Sequence, residues 1–132
     1  MKKYQIIFFL LFLFLLGAFF DTIYAQSSPI MYFCEKYSDK YGEIGISNKF
    51  TVGALTMVIK SEVPLPVGKL QVQYDKYNPS SSSFDYYSKN NIKNVNAKKY
   101  FDIAFNEPGI YRVFLLSSAN KTIASALIEI IR

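Results

Sequence analysis

The chain has 132 residues, with 15 Lys and Arg against 10 Asp and Glu, a formal charge of +5, one Cys and no His. Without imidazole there is no Ser-His-Asp or Cys-His catalysis and no His-containing zinc site. A single Cys excludes both an internal disulfide and a thiolate metal centre. Six Gly leave no material for a Gly-rich phosphate loop, so no cofactor is expected.

The chain opens with Met1-Lys2-Lys3 and then runs from Ile6 to Phe20 through apolar residues and one Gly. A charged start, an apolar run and a small residue at Ala25 form a secretory signal, with cleavage before Gln26. The run is too short for an anchor. Its 15 residues make about 22 Å of helix against a hydrocarbon core of roughly 30 Å. Residues 1–25 are therefore read as a signal peptide and 26–132 as one exported domain, secreted or periplasmic. The only membrane contact expected is through the signal segment. Losing Lys2, Lys3 and Asp21 leaves 13 basic and 9 acidic residues, a charge of +4. In the exported part only Lys98-Lys99 are adjacent, so no basic stripe tracks phosphates and no nucleic-acid partner is expected. A domain of 107 residues buries enough surface to fold without a staple.

Tyr, Phe, Ile and Val recur in short runs between turn signals, the pattern of an all-β sandwich or barrel. The first strand is Ile30 to Cys34, with Cys34 as a small buried hydrophobe. A polar, turn-rich stretch follows from Glu35 to Gly45. The second strand is Phe50 to Lys60. Its alternation slips near Gly53-Ala54, which predicts a β-bulge at Gly53. Pro64 and Pro66 break the chain. Leu70, Val72 and Tyr74 alternate with Gln71, Gln73 and Asp75, a strand with one wet face. Asn78-Pro79 and four Ser make a turn into a short strand, Phe84 to Tyr87. Lys89 to Lys98 is an exposed connection that can carry an edge strand. Tyr100 to Phe105 is a strand with Phe101, Ile103 and Phe105 on one face. Ile110 to Leu116 and Thr122 to Ile131 then form a hairpin across a five-residue polar turn.

Pro108-Gly109-Ile110-Tyr111, entering the penultimate strand, resembles the tyrosine corner of immunoglobulin-like and fibronectin-III-like sandwiches. That resemblance implies an inward Tyr111 whose hydroxyl bonds back to the corner. It covers Tyr100 to Ile131. The antibody-type Cys pair and Trp are missing, since Val113 stands two residues past Tyr111 and the chain has no Trp. The expected fold is a single antiparallel immunoglobulin-like β-sandwich of about seven strands. Pro-Gly-x-Tyr-x-Val-x-Leu before a Lys-bearing strand is also similar to the C-terminal sorting domains of type IX-secreted proteins.

With Tyr111, Val113 and Leu115 inward, Ile110, Arg112, Phe114 and Leu116 point outward, joined by Leu127 and Ile131 from the last strand. An outer apolar patch of this kind marks an interface. The sequence therefore reads as a non-catalytic module for protein–protein contact, with Phe114, Leu116, Leu127 and Arg112 as contact residues. The partner is another exported or surface protein, or a second copy. The alternative is a glycan or peptide platform of Tyr74, Tyr77, Tyr86 and Tyr87. Three smaller readings are a carboxylate hydrolase on Asp102 and Glu107, a calcium turn of Asp75, Asn78 and Asp85, and a glycan acceptor at Asn120-Lys121-Thr122.

Overall fold

The structure, a computed structural model, describes residues 28–94 and 96–132. The signal peptide expected at residues 1–25 therefore lies outside the described residues. Nine strands are present among them: β1 (Ile30–Ser38), β2 (Gly42–Ser47), β3 (Lys49–Thr51), β4 (Gly53–Lys60), β5 (Gly68–Asn78), β6 (Ser83–Asn94), β7 (Tyr100–Phe105), β8 (Gly109–Leu116) and β9 (Thr122–Ile131). They form two sheets, ordered β2-β1-β4-β7 and β3-β9-β8-β5-β6. Every pairing is antiparallel except β3 with β9.

Period-2 alternation explains the packing. Leu70, Val72 and Tyr74 on β5 and Tyr111, Val113 and Leu115 on β8 are buried from one sheet. Met31 and Phe33 on β1, Leu55, Met57 and Ile59 on β4, and Phe101, Ile103 and Phe105 on β7 meet them from the other. Burying each such side chain contributes about 1.5–3 kcal/mol before entropy is counted. The alternate residues of β5, such as Gln71 and Gln73, are only half-buried, so that strand reads cleanly from its sequence. β4 is different. Its five residues from Leu55 to Ile59 are all buried, because β1 and β7 flank it and side chains cover its outer face. The outward Thr56 is satisfied there by donating to Asp102 Oδ1 at 3.1 Å.

The structure departs from the sequence reading in three places. Glu35 to Gly45 is a hairpin, with the turn confined to Asp39–Tyr41 and entered into β2 by Gly42 at φ +71°. The pattern concealed β2 because its apolar residues, Ile44 and Ile46, are both exposed. The slip at Gly53 is a change of sheet, not a bulge. β3 pairs with β9, the Val52 amide bonds the Ile131 carbonyl at 3.0 Å, and Gly53 then turns the chain into the other sheet. Gly53 has φ +140°, a region that L side chains disfavour. Gly53→Ala is expected to cost about 1 kcal/mol or more, read as a lower urea midpoint at constant slope. Finally, β6 runs through Asn94 as a full edge strand. Asn94 is buried, donating to the Pro66 carbonyl at 3.0 Å and accepting the Lys98 amide at 2.7 Å. The hairpin and the split of the second strand account for nine strands where about seven were expected.

The order β9-β8-β5 is the G-F-C core of immunoglobulin sandwiches, with β6 as a C′-type addition, and β1-β4-β7 is its A-B-E counterpart.

Candidate interaction face

The corner between β7 and β8 sets which residues face out. The Tyr111 hydroxyl donates to the Glu107 carbonyl at 2.9 Å, while its ring is buried against Phe105. Lys76 closes the corner from β5. Its Nζ donates to Glu107 Oε2 at 2.8 Å and lies 5.5 Å from the centre of the Tyr111 ring. The hydrogen bond with Lys76 holds the Glu107 carboxyl below its ordinary range, and the same bond raises Lys76. Pro108 supplies no amide to the ladder, and Gly109 lets the chain pass under Lys76, whose Cε would lie 2.7 Å from an added Cβ.

With Tyr111 inward, the outer face of the five-stranded sheet follows from register. Leu127, Arg112, Asp75 and Tyr86 form one cross-strand row. Phe114 lies between Ser125 and Gln73 in the next row, and Ile110 lies opposite Glu129. Leu127 is 54% exposed, Ile110 45% and Tyr86 65%, while Phe114 is half-buried. The Arg112 guanidinium lies 4.4 Å over the Phe84 ring, which packs on Tyr77 at 5.4 Å. The result is an apolar and aromatic strip around one stacked arginine. Polar pairs stand at its edges, Lys49–Glu129 at 3.1 Å and Lys89 to Asn120 at 3.1 Å, and one lies within it, Gln73 to Asp75 at 2.9 Å.

Two of the sequence-selected residues present no surface. Leu116 keeps its place opposite Gln71 on β5 but is buried. Tyr74 is buried in the core, where it meets Phe105 edge-on at 5.4 Å. The four-tyrosine platform is divided by a second register shift, between Tyr74 and Asp75. Tyr87 turns to Tyr111, 5.6 Å away, whereas Tyr77 and Tyr86 join Arg112 on the outer face. The sequence reading missed Phe84, because nothing in a short aromatic run beyond a Ser-rich turn says that an arginine two strands away will lie on it.

The remaining candidates are engaged locally. Asp102 accepts from Thr56 on β4, and Glu107 pairs with Lys76 on β5 in the opposite sheet, so the two carboxylates do not meet. Around the Ser-rich turn, Asp85 accepts from Asn78 at 2.8 Å and from Ser83 at 3.1 Å, and Asn78 accepts the Ser80 amide. This is turn chemistry. No group of three or more His, Cys, Asp or Glu is placed to hold a metal among the described residues. Asn120 is exposed in the β8–β9 turn at φ +60°. Cys34 is a free, buried thiol, and burial raises its pKa.

Two packed sheets in this strand order, closed by a tyrosine corner, define an immunoglobulin-like β-sandwich. Among solved structures, the chain is similar to an immunoglobulin-like protein of Pseudomonas aeruginosa, at 12% identity over 81% of this chain and 99% of that one, with a TM-score of 0.44. No protein-family model matches the chain, and no curated protein matches it.

Proposed function

We propose that this protein is an exported, non-catalytic immunoglobulin-like module that binds another protein through the outer face of its five-stranded sheet. One observation carries the reading: Ile110, Phe114 and Leu127 lie exposed or half-exposed around an arginine stacked on an aromatic ring, with polar pairs at the edges. Interfaces have this anatomy, with aromatic and Arg anchors at the centre and a polar rim. Export rests on the charged start, apolar run and Ala25. A non-catalytic role rests on the absence of His and on the separate engagement of Asp102 and Glu107.

The partner is another exported or surface protein, or a second copy of this chain. Light scattering after size exclusion, with and without reductant, separates these. A second copy gives a dimer that survives reductant, because Cys34 is buried, and that Leu127→Glu dissociates at least tenfold. A monomer directs the search to cross-linking in the exported fraction, where Leu127→Glu and Phe114→Glu are expected to abolish the adduct. If both variants cross-link as the parent does and stay folded, this face is not the contact surface.

A further inference from the structure

The opposite side of the sandwich carries a second surface of different chemistry. On the outer face of the four-stranded sheet, Val58 of β4 pairs with Tyr32 of β1 on one side and Tyr100 of β7 on the other. Tyr37 stacks on Tyr100 with ring centres 3.9 Å apart and 16° between planes. Val58 is buried at the floor, and all three tyrosines are half-buried. Together they line an open groove of about 370 Å³, which Glu43, Lys60 and Lys99 border.

The polar groups at this groove are only partly used. Tyr32 donates to Glu43 Oε1 at 2.8 Å, while Oε2 accepts no hydrogen bond among the described residues. Lys99 donates to the Ser61 carbonyl at 2.7 Å and keeps its other ammonium hydrogens. Lys60 is exposed and forms no ion pair among the described residues. Tyr32, Tyr37 and Tyr100 converge from strands up to 68 positions apart on a face that the fold leaves open.

Tyrosine rings present an apolar, electron-rich body with a polar tip. Such a wall suits the C–H face of a sugar ring, whose hydroxyls then need acceptors and donors at the rim. Glu43 Oε2 accepts, and the two lysines donate. Lys60, Lys98 over the Tyr100 ring, and Lys99 stand against Glu43 and Asp39, which accepts from the Tyr100 hydroxyl at 3.5 Å, and the cation in excess favours a ligand that brings its own negative charge. The volume lies near the lower end of the usual range for ligand sites, about 300–1,000 Å³, which suits a short segment of chain. We propose that this groove binds an acidic saccharide, a uronate-containing chain, with sugar rings along Tyr32 and the Tyr37–Tyr100 stack, a hydroxyl on Glu43 and a carboxylate between Lys60 and Lys99. The site is independent of the protein-contact face, which belongs to the other sheet.

The test uses protein recovered from an exporting host that expresses the full chain, labelled with ¹⁵N. Trigalacturonate is titrated in, with cellotriose as the neutral counterpart. Amide shifts are expected in β1, β4 and β7 around Tyr32, Val58 and Tyr100, saturating with trigalacturonate at least about tenfold more tightly than with cellotriose. Lys60→Glu is expected to weaken trigalacturonate about tenfold and leave cellotriose unchanged. Lys60→Gln gives a smaller loss in the same direction, and Glu43→Gln weakens both sugars. Leu127→Glu leaves both unchanged. Absence of shifts with either sugar overturns the proposal, as do shifts confined to other strands. Equal affinity for the two sugars, or a Lys60→Glu variant that is folded and binds like the parent, overturns the acidic assignment.

Discussion

Replacing Tyr111 by Ala is expected to remove about 3–5 kcal/mol of stability, the cost of deleting a fully buried aromatic ring. Small domains hold only about 5–15 kcal/mol in total, so this variant should populate the unfolded state under mild denaturant. The ring is 1% exposed and packs on Phe105 at 4.9 Å and on Tyr87 at 5.6 Å, so no neighbour can fill the space without moving two other aromatics. Tyr111→Phe separates the ring from its hydroxyl. It deletes the bond to the Glu107 carbonyl and the hydroxyl's contact with Lys76, and is expected to cost about 1 kcal/mol. Urea denaturation of both variants, beside Leu127→Glu, tests the orientation of β8 and β9. Leu127 is 54% exposed, and its substitution should leave stability within about 0.5 kcal/mol. If Tyr111→Phe left the midpoint untouched while Leu127→Glu collapsed it, the inner and outer faces would be reversed, and with them the contact surface.

That orientation was legible in the sequence because local and global signals agree there. Pro108-Gly109 stops one strand and starts the next, Tyr111, Val113 and Leu115 alternate, and β9 repeats the pattern with Ile128 and Ile130. β5 and β7 were legible for the same reason, each with one wet and one dry face. The pattern failed where that contrast vanishes. β2 exposes both apolar residues, Ile44 and Ile46, so it carries no inward stripe. β6 is a polar edge strand whose pairing is supplied by β5 rather than by its own composition. At Gly53 the slip in alternation was visible, but a bulge and a change of sheet produce the same slip. Only the partner strand tells them apart.

The candidate surfaces divide in the same way. Arg112, Phe114 and Leu127 were readable from parity on two adjacent strands, and they face out. Leu116 and Tyr74 failed for different reasons. Leu116 keeps the outward parity of β8, opposite Gln71, but is covered there, beside the point where Ile123 interrupts the pairing of β9, and parity says nothing about such cover. Tyr74 was grouped with Tyr77, Tyr86 and Tyr87 by closeness in the chain, although parity alone placed it with Leu70 and Val72 in the core. The groove of Tyr32, Tyr37 and Tyr100 had no sequence signature. Its members come from the first and seventh strands, and Glu43 belongs to the hairpin strand that the pattern concealed.

Tyr74 carries the second large effect, a steep loss of stability in alkali. Its phenol is buried, 4% exposed, and burial penalises the phenolate, pushing the pKa from 10.0 up to about 12 against an opposing contact with Asn90. The sign follows from where the proton stays. Below about pH 10 both folded and unfolded chains hold it, and the native state has its full advantage. Between about pH 10 and 12 the unfolded chain releases the proton while the folded chain retains it, so stability falls by about 1.4 kcal/mol per pH unit. Above about pH 12 both states are ionised, and roughly 3 kcal/mol has been lost. Burial raises Tyr111 in the same direction, so the corner weakens alongside the core. Lysines also titrate in this window, but they do so in parent and variant alike. Urea midpoints measured from about pH 9 to 12 on the parent and on Tyr74→Phe therefore isolate the one phenol. Tyr74→Phe is expected to start close to the parent at neutral pH and to lose less stability through the window by roughly 3 kcal/mol. Parallel curves would mean that the Tyr74 hydroxyl already meets solvent, and the packing of Tyr74 on Phe105 would have to be abandoned.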